Sequence, residues 1–378
     1  MDLASVIRPG DGLVWGQACA EPQTLVEALI AQREGLSGCG AFVGSSYSGL
    51  LRPEHADHLR ISSYCGTGTN RALADAGVLD IVPTPYAQLG ALLRGGRIKC
   101  DVVMVQVSPP NKRGEYSLGL AVEYLAPALD VARAVIAEVN DQIPWTHTQP
   151  LLRRSDFDRV LETSRKPVYL PYNAPGDLER RIAAHAAGCV PEAATIECGI
   201  GALPNAILSE LQGRRDLRYH SGVVCELVRT LGAKRCLGGA LMGTQELFDW
   251  ARDNADLQLA SSDITHGPKT LAGIDRFVAI NSAVEVDLTG QVNGELARGS
   301  YVGAVGGALD FIRAANQSAG GVSIIALPAA RIVERLAGPI SVPRSEAGLF
   351  VTEHGVADLR GCSLREREKR MSGISGKS

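Results

Sequence analysis

Apolar and polar residues alternate along this chain in two patterns, one typical of buried strands and one typical of helices with a single apolar face. The segment 101–107 is an almost uninterrupted apolar run, so it predicts a buried strand that Pro109 and Pro110 bring to an end. Residues 22–32 carry apolar side chains at helical spacing and predict an amphipathic helix. In the segment 131–139 the end of a helix leads directly into another strand.

The same alternation restarts after the segment 165–177, which holds three prolines and shows little periodicity. The second half predicts strands at 195–198, 217–220 and 277–280, and helices at 204–211 and 245–254. Strands that alternate with helices of this length favour parallel βαβ units covered on both faces. We therefore expect an α/β fold with mainly parallel sheets in two α/β domains, 1–170 and 171–378, with an active cleft between them.

Composition and charge narrow the class of protein. A net charge of −3 gives no reason to expect nucleic acid or an anionic membrane surface as a partner. The chain has no run of 18 uncharged apolar residues, and its N-terminus lacks the features of a signal peptide, so we expect a cytoplasmic protein without a membrane span. The polar residues 369–378 are expected to be frayed.

The nine cysteines are scattered singly through apolar or turn segments. They form no Cys-x-x-Cys pair and have no metal-ligand spacing with the seven histidines. This distribution predicts reduced thiols that pack as small hydrophobic side chains, and no metal site.

Five strings, most of them punctuated by glycine, follow one another in the second half, at 197–207, 219–222, 279–293, 303–311 and 351–361. Any one of them is a weak signal, because glycine-rich turns after strands recur in many α/β proteins. Their joint order closely resembles the acetyl-CoA hydrolase/transferase family, which belongs to the class I coenzyme A transferases and includes 4-hydroxybutyrate and acetate CoA-transferases.

The resemblance implies a fold of the class I CoA-transferase type and an enzyme that moves CoA between an acyl-CoA thioester and a small carboxylic acid. It implies acyl-CoA and a carboxylate as substrates, no permanently bound cofactor, and a homodimer. Each half of the chain would then correspond to one subunit type of the two-subunit transferases.

One position departs from the family pattern. Where the family has a nucleophilic Glu after His-Thr, this chain has Gly222 after His220 and Ser221. That Glu attacks the thioester and then holds CoA as a glutamyl thioester, and glycine has no side chain to do so. Glu226 or Cys225 are alternatives as replacement nucleophiles, or neither replaces it. Restoring Glu at this position is expected to regain some transfer.

The resemblance also assigns the groups that stabilise the reacting oxygen. The backbone N–H groups of Ile200 and Gly307, in the turns that contain Gly201 and Gly306, would form an oxyanion hole for the thioester carbonyl. The alternative is that these glycines serve only as tight turns.

Two further side chains are candidates for chemistry. His266 lies in a turn and can act as a base for water, as a hydrogen-bond donor, or as a structural residue. Glu353 matches a family glutamate near the catalytic one, or is a salt-bridged acid. Asn281 is expected to belong to the framework. Transfer, hydrolysis of acyl-CoA with His266 or Glu353 as the base, and acyl-CoA binding without turnover all remain open.

Overall fold

The computed structural model describes residues 1–376 and contains two large, mainly parallel β-sheets with flanking helices, which confirms the predicted α/β class. The strands of the first half are β1 (Gly12–Trp15), β2 (Gly40–Val43), β3 (Arg60–Ser63), β4 (Leu79–Ile81), β5 (Val102–Val107), β6 (Glu115–Tyr116), β7 (Ala134–Asn140), β8 (Leu152–Arg153) and β9 (Arg159–Thr163). Its helices are α1 (Gln23–Gln32), α2 (Asn70–Asp75), α3 (Leu89–Arg94) and α4 (Leu125–Val131).

The first sheet has seven parallel strands in the order β4-β3-β2-β1-β5-β7-β9. β5 and β7 are buried along their whole length, as their continuous apolar runs predict for central strands covered on both faces. β6 and β8 form a separate antiparallel pair.

The second half has more and shorter elements. Its strands are β10 (Thr195–Cys198), β11 (Arg218–His220), β12 (Val223–Cys225), β13 (Cys236–Gly238), β14 (Ala240–Met242), β15 (Leu257–Leu259), β16 (Phe277–Ser282), β17 (Glu285–Asp287), β18 (Val292–Asn293), β19 (Leu296–Ala297), β20 (Ser300–Tyr301), β21 (Val322–Ala326), β22 (Ile332–Val333), β23 (Leu349–Thr352) and β24 (Gly355–Asp358). Its helices are α5 (Asp177–Gly188), α6 (Ala202–Glu210), α7 (Val228–Leu231), α8 (Gln245–Ala251), α9 (Ser262–Thr265), α10 (Pro268–Leu271), α11 (Ala308–Gln317) and α12 (Leu364–Gly373).

The second sheet has eight strands in the order β15-β13-β11-β10-β16-β21-β23-β24. Only the last pair, β23 and β24, runs antiparallel. Within the described chain, no helix or strand lies between the end of β9 and the start of α5. The division of the chain into 1–170 and 171–378 stays a prediction.

The largest hydrophobic cluster extends through both halves. It contains Val105 and Leu120 from the first half together with Ile196, Val224 and Leu241 from the second. Backbone hydrogen bonds cross the same boundary, because the Leu241 amide donates to the Leu120 carbonyl at 2.7 Å. The two halves therefore share this cluster, and further clusters lie within the first half or within the second half alone.

The expectation of a frayed C-terminus is wrong up to residue 376. α12 begins with the Ser363 side chain accepting from the Glu366 amide, and Met371 and Ile374 are buried on one side of the helix. The Thr352 hydroxyl donates to the Ile374 carbonyl at 2.8 Å. Met371 and Ile374 are three residues apart, so both can pack on the same side and anchor an otherwise polar segment. Residues 377–378 lie outside the described residues.

No helix in residues 1–376 combines the length and the apolar character that crossing a membrane requires.

Candidate active site

A cavity of about 380 Å³ lies where the carboxyl ends of strands from both large sheets approach each other. From the first half, Gln17 and Tyr64 come just after β1 and β3. From the second half, Gly199 and Ser221 follow β10 and β11, and Asn281 lies at the end of β16. Ligands of open parallel sheets bind at this edge, so the fold itself makes this cavity the candidate site.

A buried hydrogen-bond network forms the wall contributed by the first half. The Gln17 amide nitrogen donates to the Tyr86 hydroxyl at 2.9 Å and also to a carboxylate oxygen of Glu123. The Tyr64 hydroxyl and the Ser45 amide both donate to the Gln17 carbonyl oxygen, each at 2.8 Å. Gln17 therefore has its orientation fixed from both ends, and it holds the Glu123 side chain in turn.

Glu123 is an acid in an unusual position. Its side chain lines the cavity, and the residue is 3% exposed. Burial raises the pKa of Glu123 to about 7, against hydrogen bonds from Gln17 and Tyr86 that lower it. Its backbone has a φ of +36°, in the left-handed region that non-glycine residues seldom occupy.

A second buried acid faces the cavity from the second half. Glu197 lies on β10 just before the glycine turn, and Asn281 donates to its carboxylate at 2.8 Å. Burial raises the pKa of Glu197 to about 8, and the bond from Asn281 lowers it only in part. Asn281 thus holds a cavity side chain, whereas the sequence assigned it to the framework.

His266 is a neutral, buried imidazole at the cavity. Its ring centre lies 4.6 Å from that of Tyr86 and 4.4 Å from that of Phe311. Desolvation lowers the pKa of His266 to about 3, so the ring is uncharged at neutral pH. The Thr265 hydroxyl forms a hydrogen bond of 2.8 Å with Nδ1 of His266 and lies 3.2 Å from the Ser261 carbonyl oxygen.

Two glycines make room for this ring. A Cβ on Gly222 would lie 2.9 Å from Cε1 of His266, and a Cβ on Gly307 would lie 2.4 Å from its Nε2. Real Cβ atoms do not approach other atoms this closely, so any side chain at either position has to displace the imidazole. The absence of a side chain at both positions is therefore tied to the packing of His266.

The two turns assigned to an oxyanion hole both border the cavity. Ile200 and Gly307 line it, and within residues 1–376 their amide N–H groups donate no hydrogen bond. α6 begins directly after Gly201 and α11 directly after Gly307, so two helix N-termini also flank this space. Gly201 has a φ of +126°, which only glycine adopts without strain. Free amides and helix N-termini favour an anionic oxygen.

The other sequence-predicted residues lie elsewhere. Glu226 accepts from the Thr244 amide at 3.0 Å, and Glu353 accepts from the Ala329 amide at 2.9 Å. Neither acid lines the cavity, and neither does Cys225, whose pKa is raised by burial. The fold thus brings Ile200, Gly222, His266, Gly306 and Gly307 together and leaves these three apart.

The sequence also contains signals for the two buried acids of the cavity. Glu123 is the one acidic residue in the otherwise apolar segment 118–129. A single acid among apolar residues indicates either a hydrogen-bonding or charged partner in the fold or a functional role. Glu197 is the second-last residue of a strand that leads into a glycine turn, the usual location of ligand contacts in parallel sheets. No local pattern pointed to Gln17, because only the fold brings it to Glu123.

Comparisons with known proteins agree with this architecture. The sequence profile of the acetyl-CoA hydrolase/transferase N-terminal domain matches residues 1–170, and that of the C-terminal domain matches residues 243–376. The 4-hydroxybutyrate coenzyme A transferase of Clostridium kluyveri is 32% identical over 98% of this chain and 92% of its own length. The crystal structure of RipA from Yersinia pestis superposes with a TM-score of 0.93 at 29% identity, over 99% of this chain and 92% of RipA.

One acetyl-CoA hydrolase aligns with a smaller share of the chain. The acetyl-CoA hydrolase of Kluyveromyces lactis is 27% identical over 56% of this chain and 46% of its own length. Since profiles of both family domains match most of the chain, and a relative above 30% identity aligns along nearly all of it, this protein belongs to the acetyl-CoA hydrolase/transferase family.

Proposed function

We propose that this protein is an acyl-CoA:carboxylate CoA-transferase that binds the thioester in the cavity between its two halves, and that Gly222 stands where the family's nucleophilic Glu would be. The acyl-CoA and a small carboxylic acid are its substrates, and it needs no permanently bound cofactor. The observation that carries the proposal is the pair of unpaired amides at Ile200 and Gly307, which border one cavity with two buried carboxyl groups.

The unpaired amides support acyl chemistry for an electrostatic reason. A thioester carbonyl gains negative charge on oxygen when it is attacked, and two N–H donors in a water-poor site stabilise that charge. Loss of one such donor costs about 3 kcal/mol of transition-state stabilisation in enzymes that use the same device. Two helix N-termini at the same wall add to the favourable potential.

Transfer is favoured over hydrolysis by the comparisons along the whole chain. The aligned 4-hydroxybutyrate CoA-transferase covers 98% of this sequence, whereas two acetyl-CoA hydrolases cover 56% and 72% of it. Hydrolysis is the second candidate, because Gly222 offers no nucleophilic side chain and acetyl-CoA hydrolases are among the relatives of this chain. The low pKa of His266 argues against that residue as the base, since a group that weakly binds protons removes them poorly from water.

The deciding experiment separates the two products. The purified protein is incubated with acetyl-CoA, butyryl-CoA and 4-hydroxybutyryl-CoA, each with and without a second carboxylate such as acetate. Free thiol and newly formed thioester are measured separately. Transfer predicts new thioester that depends on the added carboxylate and little free thiol. Free thiol released equally without the carboxylate indicates hydrolysis, and neither product together with acyl-CoA binding indicates a non-catalytic homologue.

We also propose that the chain forms a homodimer, as the family resemblance implies. Light scattering on the purified protein is expected to give twice the chain mass of 39.9 kDa at working concentrations. A mass of one chain across that range would exclude the dimer.

A further inference from the structure

The wall contributed by the first half brings a carboxyl group next to the position where the sequence lacks one. The Cγ of Glu123 and the carbonyl oxygen of Gly222 both lie within 3.0 Å of the point that a Cβ on Gly239 would occupy. The Gly239 amide donates to that same carbonyl at 3.0 Å. Glu123 therefore reaches across the boundary between the halves and lies beside Gly222 at the cavity wall.

We propose that Glu123 is the nucleophile of this enzyme, so that the reactive carboxylate comes from the first half of the chain and not from position 222. This inference rests on the proposed CoA transfer, and it assigns the reaction to Glu123 instead of to position 222.

The second half holds the Glu123 backbone in place. The Ser262 amide donates to the Glu123 carbonyl at 3.1 Å, and the preceding Val122 amide donates to the Gly239 carbonyl at 2.9 Å. These contacts fix the peptide in its left-handed conformation, with a φ of +36°. Backbone strain of this kind persists only where the surroundings over-determine it, and it clusters at functional sites.

The side chain is oriented as a reacting group requires. Gln17 donates to Oε2 of Glu123, and Gln17 is itself fixed by Tyr64 and Ser45. The groups that face Glu123 are Gln17 and the phenols of Tyr64, Tyr86 and Tyr124. Within the described residues no Lys or Arg side chain forms an ion pair with it, so no cation competes for the carboxylate.

The other acids are less suited to the role. Glu226 and Glu353 each accept a hydrogen bond from a backbone amide outside the cavity. Glu197 lines the cavity, but it lies on β10 and its carboxylate accepts from Asn281 at 2.8 Å. Glu123 is the acid that lies beside Gly222.

The proposed steps balance without an added reagent. A carboxylate oxygen of Glu123 bonds to the acyl carbon, the carbon–sulfur bond breaks, and CoA leaves as the thiolate. The thiolate then attacks the side-chain carbonyl carbon of Glu123 in the resulting anhydride, and the first acid leaves as its carboxylate. Glu123 now holds CoA as a thioester, and the incoming carboxylate reverses the two steps to form the new acyl-CoA.

Trapping on the unmodified chain tests this assignment directly. The wild-type protein is mixed with butyryl-CoA without acceptor and treated with sodium borohydride, which reduces an enzyme thioester to the alcohol. Peptide mass spectrometry then locates the modified residue. We expect the modification at Glu123 and none when free CoA replaces butyryl-CoA.

A matched set of variants accompanies the trap. Glu123→Gln keeps the size of the side chain and is expected to lose about a thousandfold or more in CoA exchange between butyryl-CoA and acetate. Glu226→Gln removes an acid that lies outside the cavity and is expected to keep the adduct at Glu123. Thermal unfolding and binding of butyryl-CoA show whether each variant is folded, and the wild-type trap does not depend on either variant.

The outcomes separate this inference from the function on which it rests. An adduct at Glu123 with loss of exchange in Glu123→Gln supports both. An adduct at Glu197, Glu226 or Glu353, or undiminished exchange in Glu123→Gln, overturns the assignment but leaves CoA transfer standing. Release of free thiol without any adduct overturns the nucleophile and favours hydrolysis. Wild-type protein that neither exchanges nor cleaves any acyl-CoA overturns the function and the inference together.

Discussion

His266 determines what positions 222 and 307 accept. Because a Cβ on Gly222 meets the imidazole at 2.9 Å, we expect Gly222→Glu to destabilise the protein by about 1–3 kcal/mol and not to gain transfer activity. This reverses the expectation from the sequence alone that Glu at this position regains some transfer. Urea unfolding and CoA exchange measure the two effects, with Gly222→Ala as the smaller change.

The double variant supplies the control for that argument. If the clash is with the ring, Gly222→Glu should cost less stability in a His266→Ala background, and the two changes should be strongly non-additive. Additive losses, or a Gly222→Glu protein that is as stable as the wild type and more active, would contradict the packing argument.

The buried acid Glu197 couples stability to pH. Its pKa is about 8 in the folded chain against an ordinary value of 4.5, so the folded state binds a proton more tightly than the unfolded state does. Its contribution is fully present below about pH 4.5 and is lost as the pH rises through about 8. We expect Glu197→Gln, which can still accept from Asn281, to be more stabilising relative to wild type at pH 8.5 than at pH 5.

Unfolding free energies of both proteins at several pH values measure this difference. Glu226→Gln is the matched control, because its carboxylate hydrogen-bonds to Thr244 away from the cavity. A Glu197→Gln effect that is independent of pH would show that the carboxyl group is ionised in the folded protein.

At the scale of strands and helices, the residue between β13 and β14 lies where the two halves of the site meet. This residue is Gly239, and a Cβ there would come 2.7 Å from the Gly222 carbonyl and 3.0 Å from Cγ of Glu123. We expect Gly239→Ala to separate Glu123 from Gly222, with a loss of about 1–3 kcal/mol in stability and a loss of CoA exchange. Gly273→Ala, whose Cβ has an ordinary contact at 3.7 Å, is the control. Equal behaviour of the two variants would refute this role of Gly239.

Regular elements were predictable where periodicity and punctuation agree. The run 101–107 corresponds to β5, because a strand buried on both faces is apolar along its whole length. The segment 22–32 corresponds to α1, because a helix buried on one face has apolar residues at helical spacing. The glycine turns at 200–201 and 306–307 were recognisable because they follow strands and open helices. The Gln17–Glu123 pair was not, since its partners are 106 residues apart and only the strand order brings them together.

At the scale of the whole molecule, the largest hydrophobic cluster contains residues of both halves. Because Leu120 packs in the same cluster as Ile196 and Leu241, either half alone would expose its part of the largest cluster, although each half also has clusters of its own. We expect one thermal transition in calorimetry, with equal calorimetric and van't Hoff enthalpies. A fragment ending at residue 170 is expected not to fold. Two resolved transitions, or a folded fragment, would show independent domains.

The left-handed backbone conformation of Glu123 lowers the stability of the fold at a residue that the proposed activity requires. A non-glycine residue in this conformation costs on the order of 1–2 kcal/mol, which Gly would relieve at once and Asn in part. Selection for thermal resistance alone would therefore replace Glu at this position, and selection for turnover would restore it. In a directed-evolution experiment on this chain, position 123 would therefore show a trade-off, because the sequence with the highest thermal stability is not the most active one.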